Sequence, residues 1–158
     1  KKLNKKMKIT IAKQGLEIPT VAKDITLKFI APVTTYVKSD LNNWSAVLHL
    51  KHNQKSFLFM GDAETKAETD MLAKNLIPKV DVLKVGHHGS KDSTSKKLLD
   101  KAKPIYSVIS VGKNSYGHPT SEALNRLKAV KSAVYRTDKS GNIIFTSNGS
   151  KITVKTVK

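Results

Sequence analysis

Cysteine is absent from this 158-residue chain. Its absence excludes a disulfide framework, a thiolate zinc site and a cysteine nucleophile, and it leaves the cellular compartment open. Long apolar runs are absent too. None approaches the roughly 20 residues of a membrane-spanning helix, and the lysine-rich start KKLNKKMK is not followed by the apolar stretch of a signal peptide. We therefore expect one soluble domain, for which a hydrophobic content of 39% is ordinary.

Acidic residues are also scarce. The chain has 12 Asp and Glu against 29 Lys and Arg, which gives a formal net charge of +17. A surface this basic attracts polyanions, and nucleic acid is the first candidate. The alternative is that lysines on every face only keep the protein in solution, because the charge is not confined to one stripe of the sequence.

The spacing of apolar residues predicts a mixed α/β fold in one domain, 1–158. Alternation predicts an antiparallel pair of strands at residues 8–13 and 24–30, and AVLHLKHNQKSFLFM predicts a hairpin in which His49 and His52 are surface residues. Helices and strands then alternate before a closing hairpin, at 64–75, 80–85, 95–103, 106–111, 121–131, 133–137 and 141–155. Strands followed by β-α units indicate a layered sheet with flanking helices.

Polar side chains follow three successive strands of this pattern. Asp62 comes after the first, the pair His87 and His88 after the second, and Asn114 and His118 after the third. Loops after the carboxyl ends of such strands are where α/β proteins place their chemistry. A carboxylate and an imidazole that converge suit zinc, manganese or iron. The alternatives are an Asp62 that caps a helix and histidines that only hydrogen-bond to the fold or fix a turn.

Five segments in order carry a family resemblance: DLNNWSAVLHL, SFLFMGDAET, DVLKVGHHGSKDSTS, SVISVGKNSYGHP and VYRTDKSGNIIF. Over residues 39–147 the chain resembles the C-terminal half of the metallo-β-lactamase-like domain of the ComEC competence-protein family. The resemblance implies an αββα sandwich with a mixed sheet and a dinuclear site for zinc or manganese. It also implies a nuclease attached to a membrane channel for DNA uptake, and therefore a bacterial parent protein that is membrane-associated or extracytoplasmic.

The resemblance also implies roles for individual residues. Asp62 matches the carboxylate that bridges the two metal ions. His87 is the first choice for the later ligand, and His88 is the alternative because a histidine followed by glycine would align with it. All three are thereby implied in catalysis. The resemblance places Ser90, Asn114 and His118 near the substrate, and lysines around Lys91 would neutralise phosphate charge.

The implied reaction is hydrolysis of a phosphodiester in DNA by a metal-activated water. Hydrolysis of a small ester or lactone by the same kind of centre is the nearest alternative, because a fold does not fix a substrate. A non-catalytic, DNA-binding fragment is the alternative from a different class.

One departure from the family pattern limits these implications. The superfamily motif His-x-His-x-Asp-His has no counterpart before Asp62, and Asn42 and Asn43 stand roughly where many relatives have a further histidine. The chain is therefore expected to be a C-terminal portion of the domain that lacks the N-terminal metal-motif half. We expect such a chain to be inactive alone, to bind DNA weakly, and to pair with the absent half or with itself through an uncovered sheet face.

Overall fold

A seven-stranded mixed sheet organises the computed structural model, which describes residues 9–158. The strands lie in the sheet in their order along the chain: β1 (Glu17–Ile18), β2 (Ile25–Phe29), β3 (Leu48–His52), β4 (Lys55–Phe59), β5 (Val82–Lys84), β6 (Tyr106–Ile109) and β7 (Ala133–Arg136). Neighbours from β1 to β4 are antiparallel, and neighbours from β4 to β7 are parallel. The carboxyl ends of β4, β5 and β6 therefore meet at one edge of the sheet.

Helices connect the parallel strands and cover one face of the sheet. They are α1 (Thr65–Ala73), α2 (Lys96–Ala102) and α3 (Ser121–Ala129). The side chains of Ser95 and Thr120 accept hydrogen bonds from backbone N–H groups in the first turns of α2 and α3, which satisfies donors that have no partner within the helix. The short helix α4 (Thr137–Ser140) joins β7 to the last two strands.

The main core lies between these helices and the sheet. Its largest fully buried apolar side chains come from both layers: Val47, Leu58, Met60, Met71, Leu83, Val85, Leu98, Leu99, Ile109 and Leu127. Each such side chain contributes roughly 1.5–3 kcal/mol by leaving water. Side chains along β4, β5 and β6 point alternately to this face and to the other face of the sheet. Because one face is packed in the core, these strands fix the positions of the polar loops that follow them.

The other face of the sheet is only partly covered. The hairpin of β8 (Asn142–Ser147) and β9 (Ile152–Val157) packs Phe145 against Tyr106 and Tyr135, with ring centroids 5.6 and 5.8 Å apart. Beside it runs an open groove of about 430 Å³, lined mainly by apolar side chains that include Ile25, Leu50, Phe57, Phe59, Val108 and Phe145. Phe59 remains 39% exposed.

The predicted strand at 8–13 is wrong for residues 9–13, and Lys8 lies outside the described residues. Ile9 and Ile11 are 74% and 81% exposed, and no strand is assigned to them. The backbone of β2 pairs instead with β1, and the N–H of Phe29 donates to the carbonyl of Leu16. Alternation of apolar residues shows which side chains could share one face of a strand. It does not show which segment of the chain pairs with the free edge of β2.

The prediction that His49 and His52 are surface residues is also wrong. His49 is partly buried, and its Nε2 lies 2.7 Å from the Ser56 hydroxyl on β4. Burial lowers the pKa of His49, and the charges of Lys51 and Lys28 lower it further. The side chain of His52 is 16% exposed and its Nε2 lies 3.0 Å from Asp24 Oδ2. Both imidazoles are held by partners that are distant in sequence.

A pH dependence of stability follows from His49. The folded state depresses its pKa below the unfolded value of about 6.5, so the unfolded chain binds more protons as the pH falls. We expect the free energy of unfolding to decrease between about pH 7 and pH 5. The His49→Gln variant should lose less stability over this interval. Urea denaturation at several pH values measures both, and parallel profiles for the two proteins would contradict the assignment.

Glu68 of α1 ties the loop after β5 to the helical layer. Its fully buried carboxylate accepts hydrogen bonds from the backbone N–H groups of Thr94 and Ser95. Burial raises the pKa of Glu68, whereas these bonds and the charge of Arg126 act in the opposite direction. Arg126 of α3 donates to the carbonyls of Lys91, Ser93 and Thr94 at 2.8–3.0 Å. Side chains from α1 and α3 thus fix residues 91–95.

We expect Glu68→Ala to lower the free energy of unfolding by roughly 3–5 kcal/mol, because it leaves the backbone N–H groups of Thr94 and Ser95 without their acceptor and removes the negative charge near Arg126. The control is Asp100→Ala, which removes an exposed carboxylate that pairs with Lys96. That change should cost no more than about 0.5 kcal/mol. Chemical denaturation decides the matter, and similar losses in the two variants would show that Glu68 does not hold this loop.

Candidate functional site

The loops that follow β4, β5 and β6 converge at one edge of the sheet. Asp62 lies in the first loop, His87 and His88 in the second, and His118 in the third. The side chains of all four approach one another, as the order of strands predicts. This edge is the candidate functional site.

Asp62 and His88 form one pair of potential metal ligands at this edge. Asp62 Oδ1 lies 3.5 Å from His88 Nε2, and both side chains are 46% exposed. Two donors bound to one tetrahedral metal ion at about 2.1 Å are themselves about 3.4 Å apart, so the observed separation suits a shared ion. Asp62 is not the N-cap of α1, because that position belongs to Glu64.

A backbone carbonyl fixes the tautomer of His88. Its Nδ1 lies 2.6 Å from the carbonyl oxygen of Ser110, at the end of β6. Because a carbonyl oxygen only accepts hydrogen bonds, Nδ1 carries the proton, and in the neutral form of the ring the lone pair of Nε2 faces Asp62. Histidines that bind metals are held in this way by a partner on the other ring nitrogen.

His87 faces a different partner. Its Nδ1 lies 3.0 Å from Glu64 Oε1, which also accepts a hydrogen bond of 2.8 Å from Asn42 Nδ2. The ring packs edge-on against His118, with centroids 5.4 Å apart. Of the two adjacent histidines, His88 is therefore the one that points at Asp62. The sequence interpretation put His87 first, and it missed Glu64, which in GDAE reads as an ordinary acidic residue at a helix start.

The backbone of the turn Gly86–Gly89 separates the two imidazoles. His87 and His88 have φ values of 41° and 53°, in the left-handed region. This conformation costs non-glycine residues roughly 1–2 kcal/mol each. The turn is held by the N–H of His87 on the Gly61 carbonyl and by the hydroxyl groups of Ser93 and Thr94 on Gly86. Neighbouring groups thus stabilise a conformation that the chain does not prefer.

The third loop is organised by the side chain of Asn114. Its Oδ1 accepts from the N–H groups of Tyr116 and His118, and its Nδ2 donates to the carbonyls of Gly112 and His118. His118 Nδ1 is buried and has no hydrogen-bond partner among residues 9–158. Burial, followed by the proximity of His87 and His88, lowers the pKa of His118. His118 therefore favours the neutral form.

The remaining predicted site residues differ in exposure. Ser90 is 4% exposed, and its hydroxyl accepts a hydrogen bond of 3.2 Å from the N–H of Asp92. Lys91 is exposed. Asn114 is exposed but uses both ends of its amide to hold its own loop. Contact of Ser90, Lys91, Asn114 and His118 with a substrate stays a prediction.

The donor chemistry suits a metal ion, but the donors are few. A carboxylate oxygen and a neutral imidazole nitrogen are acceptable to both zinc and manganese. In the part of the chain that the structure describes, no group of three or more His, Cys, Asp and Glu side chains could hold a metal ion. A catalytic zinc site has three protein ligands. Asp62 and His88 alone are therefore too few for such a site.

Comparison with known proteins identifies the family. The model described as Metallo-beta-lactamase superfamily matches residues 8–113. This chain belongs to the metallo-beta-lactamase superfamily. The predicted mixed α/β fold is thereby confirmed. No helix within residues 9–158 has the length and apolar character that crossing a membrane requires.

Relatives among the competence proteins are similar over most of the chain. The chain is 38% identical to ComE operon protein 3 of Bacillus subtilis (strain 168) over 126 residues, which is 78% of this chain and 16% of that protein. It is 39% identical over 117 residues to Recombination protein 2 of Haemophilus influenzae, covering 73% and 14%. It is 40% identical over 110 residues to Competence protein ComA of Neisseria gonorrhoeae, covering 67% and 16%. The resemblance to the ComEC family is confirmed, and the matched region spans about one sixth of these relatives.

Gly89 provides a test of how tightly the second and third loops are packed. Its φ is +83°, and an added Cβ would lie 2.6 Å from Pro119 Cβ. Gly117 has a similar φ of +75°, but no heavy atom of the described chain beyond its neighbours lies within 4 Å of such a Cβ. The two glycines therefore share a backbone conformation and differ in steric contact.

We expect Gly117→Ala to cost about 1–2 kcal/mol through backbone strain alone. Gly89→Ala should cost about 1–3 kcal/mol more, because the methyl group also overlaps Pro119. Urea denaturation of both variants measures the difference. Equal losses would mean that the loop containing His118 does not pack against the turn that carries His88.

Proposed function

We propose that this chain forms part of a metal-dependent phosphodiesterase centre that acts on DNA, within a longer protein of the competence type. One observation carries the proposal: His88 Nε2 lies 3.5 Å from Asp62 Oδ1, while Nδ1 is held by the Ser110 carbonyl. Membership of the metallo-beta-lactamase superfamily supports the metal. Relatives named for competence and recombination support DNA, and a role in its uptake, as the biological context.

Each side chain at the edge of the sheet has a task in this proposal. Asp62 and His88 hold a zinc or manganese ion, which when bound supplies an activated water and positive charge for the phosphodiester. Glu64, which accepts a hydrogen bond from Asn42, holds His87 by its Nδ1, and this leaves Nε2 of His87 to hydrogen-bond to the substrate. The exposed ammonium groups of Lys91 and Lys113 attract the phosphate backbone.

The other metal ligands come from a further segment in this proposal. Asp62 and His88 are too few for a catalytic site, and the matched region covers only 14–16% of the relatives' length. The open apolar groove on the sheet is a surface on which such a segment, or a second copy of this chain, would pack. The chain by itself is then a weak catalyst or none.

A second candidate is a DNA-binding module without catalysis. The net charge of +17 favours it, since phosphate neutralisation needs no metal, and so does the small number of metal donors. Under this reading Asp62 and His88 form an ordinary ion pair at the surface. The two candidates differ in whether removing Asp62 changes metal binding.

Calorimetric titration with Mn²⁺ and with Zn²⁺ distinguishes these candidates. We expect Asp62→Asn and His88→Gln to weaken metal binding at least about 10-fold, because each removes a ligand. His87→Gln should have a smaller effect, since His87 points at Glu64. If His87→Gln and His88→Gln weaken binding equally, the choice of His88 is wrong; if Asp62→Asn has no effect, the metal centre is not at this edge.

A further inference from the structure

Tyr116 is unusually exposed for an aromatic residue. Its side chain is 81% exposed, whereas Tyr36 is buried and Tyr106 and Tyr135 are half-buried. Tyr106 and Tyr135 pack against Phe145, so their rings serve the fold. The ring of Tyr116 has no comparable burial, and it lies in the loop that carries His118.

Tyr116 faces water, but its backbone is anchored and its ring has an aromatic neighbour. It stacks on His118 with an interplanar angle of 29° and centroids 6.0 Å apart, and His118 in turn packs edge-on against His87. Asn114 accepts a hydrogen bond of 3.1 Å from the backbone N–H of Tyr116. A ring that is positioned before a ligand arrives loses little entropy on binding.

A small cavity of about 200 Å³ lies between this ring and the candidate metal ligand. It is lined by His88, Val111, Gly112, Asn114, Tyr116 and His118. The cavity is smaller than the roughly 300–1,000 Å³ of sites for drug-sized molecules. An added Cβ at Gly112 would meet no non-neighbouring heavy atom of the described chain within 4 Å, so the backbone beside the cavity is open to an approaching ligand. Aromatic, apolar and imidazole surfaces together suit one flat ring system.

We propose that Tyr116 stacks on an unpaired nucleobase next to a phosphate that would bind to a metal ion held by Asp62 and His88, which makes single-stranded DNA the preferred substrate. This inference rests on the function proposed above and names its substrate class. A base inside a duplex is already stacked on both faces, whereas an unpaired base offers a free face to an aromatic side chain. Such stacking accepts any of the bases, because every base has a π face.

The charge of the same loop supports this assignment. Lys113 is exposed and precedes Tyr116 by three positions, so an ammonium group and an aromatic ring occur together in one short loop. Proteins that bind single strands combine these elements, with cations along the backbone and rings against the bases. The phosphate is placed by charge and the base by stacking.

Fluorescence anisotropy with the whole chain in EDTA measures this binding without metal or cleavage. The probes are a labelled short oligothymidylate, the same strand with abasic sites, and a duplex of equal length. Tyr116→Ala should weaken binding of the normal single strand by roughly 5- to 150-fold, the range found for loss of base–aromatic stacking. Tyr116→Trp should retain the affinity, because tryptophan also offers an aromatic face on which a base can stack.

The abasic strand makes the test specific for stacking. Tyr116→Ala should have little effect on binding of the abasic strand, since that strand has no base at these sites to stack on Tyr116. The control Ile105→Ala removes an exposed apolar side chain at the other end of β6 and should change nothing. Equal losses on normal and abasic strands, equal dependence on Tyr116 for the duplex, or no binding of single strands by the wild-type chain would overturn the proposal.

Asp62→Asn separates this inference from the metal centre. It should leave the effect of Tyr116→Ala in EDTA intact, because stacking needs no metal. If Asp62→Asn does not alter metal binding while Tyr116→Ala still weakens only base-containing strands, the proposed metal centre fails and the stacking site stands. If metal binding depends on Asp62 but the strands do not distinguish Tyr116→Ala from wild type, the stacking site fails and the metal centre stands.

Discussion

The candidate site depends on a short loop whose backbone is held by a buried carboxylate and a guanidinium. Glu68 receives the N–H groups of Thr94 and Ser95, while Arg126 donates to carbonyls of the same loop. A buried charge is costly unless it is paired and hydrogen-bonded. Here the N–H groups of the loop supply the hydrogen bonds to Glu68, and Arg126 supplies the opposite charge. With residues 91–95 fixed, Ser93 and Thr94 can hold Gly86 by their hydroxyl groups. The helical layer thereby determines the shape of the turn at the sheet edge.

The strained turn explains how two adjacent histidines acquire different environments. Left-handed φ values at His87 and His88 rotate successive side chains toward different neighbours. His88 then lies between the Ser110 carbonyl and Asp62, whereas His87 reaches Glu64. Strain of this kind persists where the surroundings stabilise it, and it is concentrated at functional sites. The observed outlier is thus a physical reason, independent of the family, to look for function at this turn.

Much of this arrangement could be predicted from the sequence, and the limits have physical causes. The strands from β3 onward and the helices after them follow from apolar spacing, and their order brings Asp62 and the histidines to one edge. The choice between His87 and His88 could not be made, because it depends on the sign of φ, which apolar spacing does not encode. Glu64 was missed for a related reason: its contact with His87 joins two loops.

The beginning of the sheet was harder to predict than its middle. Residues 9–13 alternate as a strand should, yet Ile9 and Ile11 are exposed. The strands β4, β5 and β6 bury side chains in the core, so burial selects their register strongly. At the edge beside β2, no single register buries much apolar surface, since Ile18 of β1 is itself 38% exposed. The pattern of apolar residues predicts a strand well where the fold buries those residues, and less well at an exposed edge of the sheet.

Charge and geometry contribute to ligand recognition in separable ways. A net charge of +17 spread over the surface attracts any polyanion, and salt weakens that attraction because the exposed charges are screened and bound counterions are released. In the proposed function, a metal ion held by Asp62 and His88 and the ring of Tyr116 would act only at contact distance, so salt would affect these contacts much less. If both proposals hold, lysines attract a DNA strand at many places on the surface, whereas the sheet edge holds a phosphate and a base in a defined relation. Position on the strand would then be set by a few side chains on three loops, while affinity would come both from the charge of the whole molecule and from stacking on Tyr116.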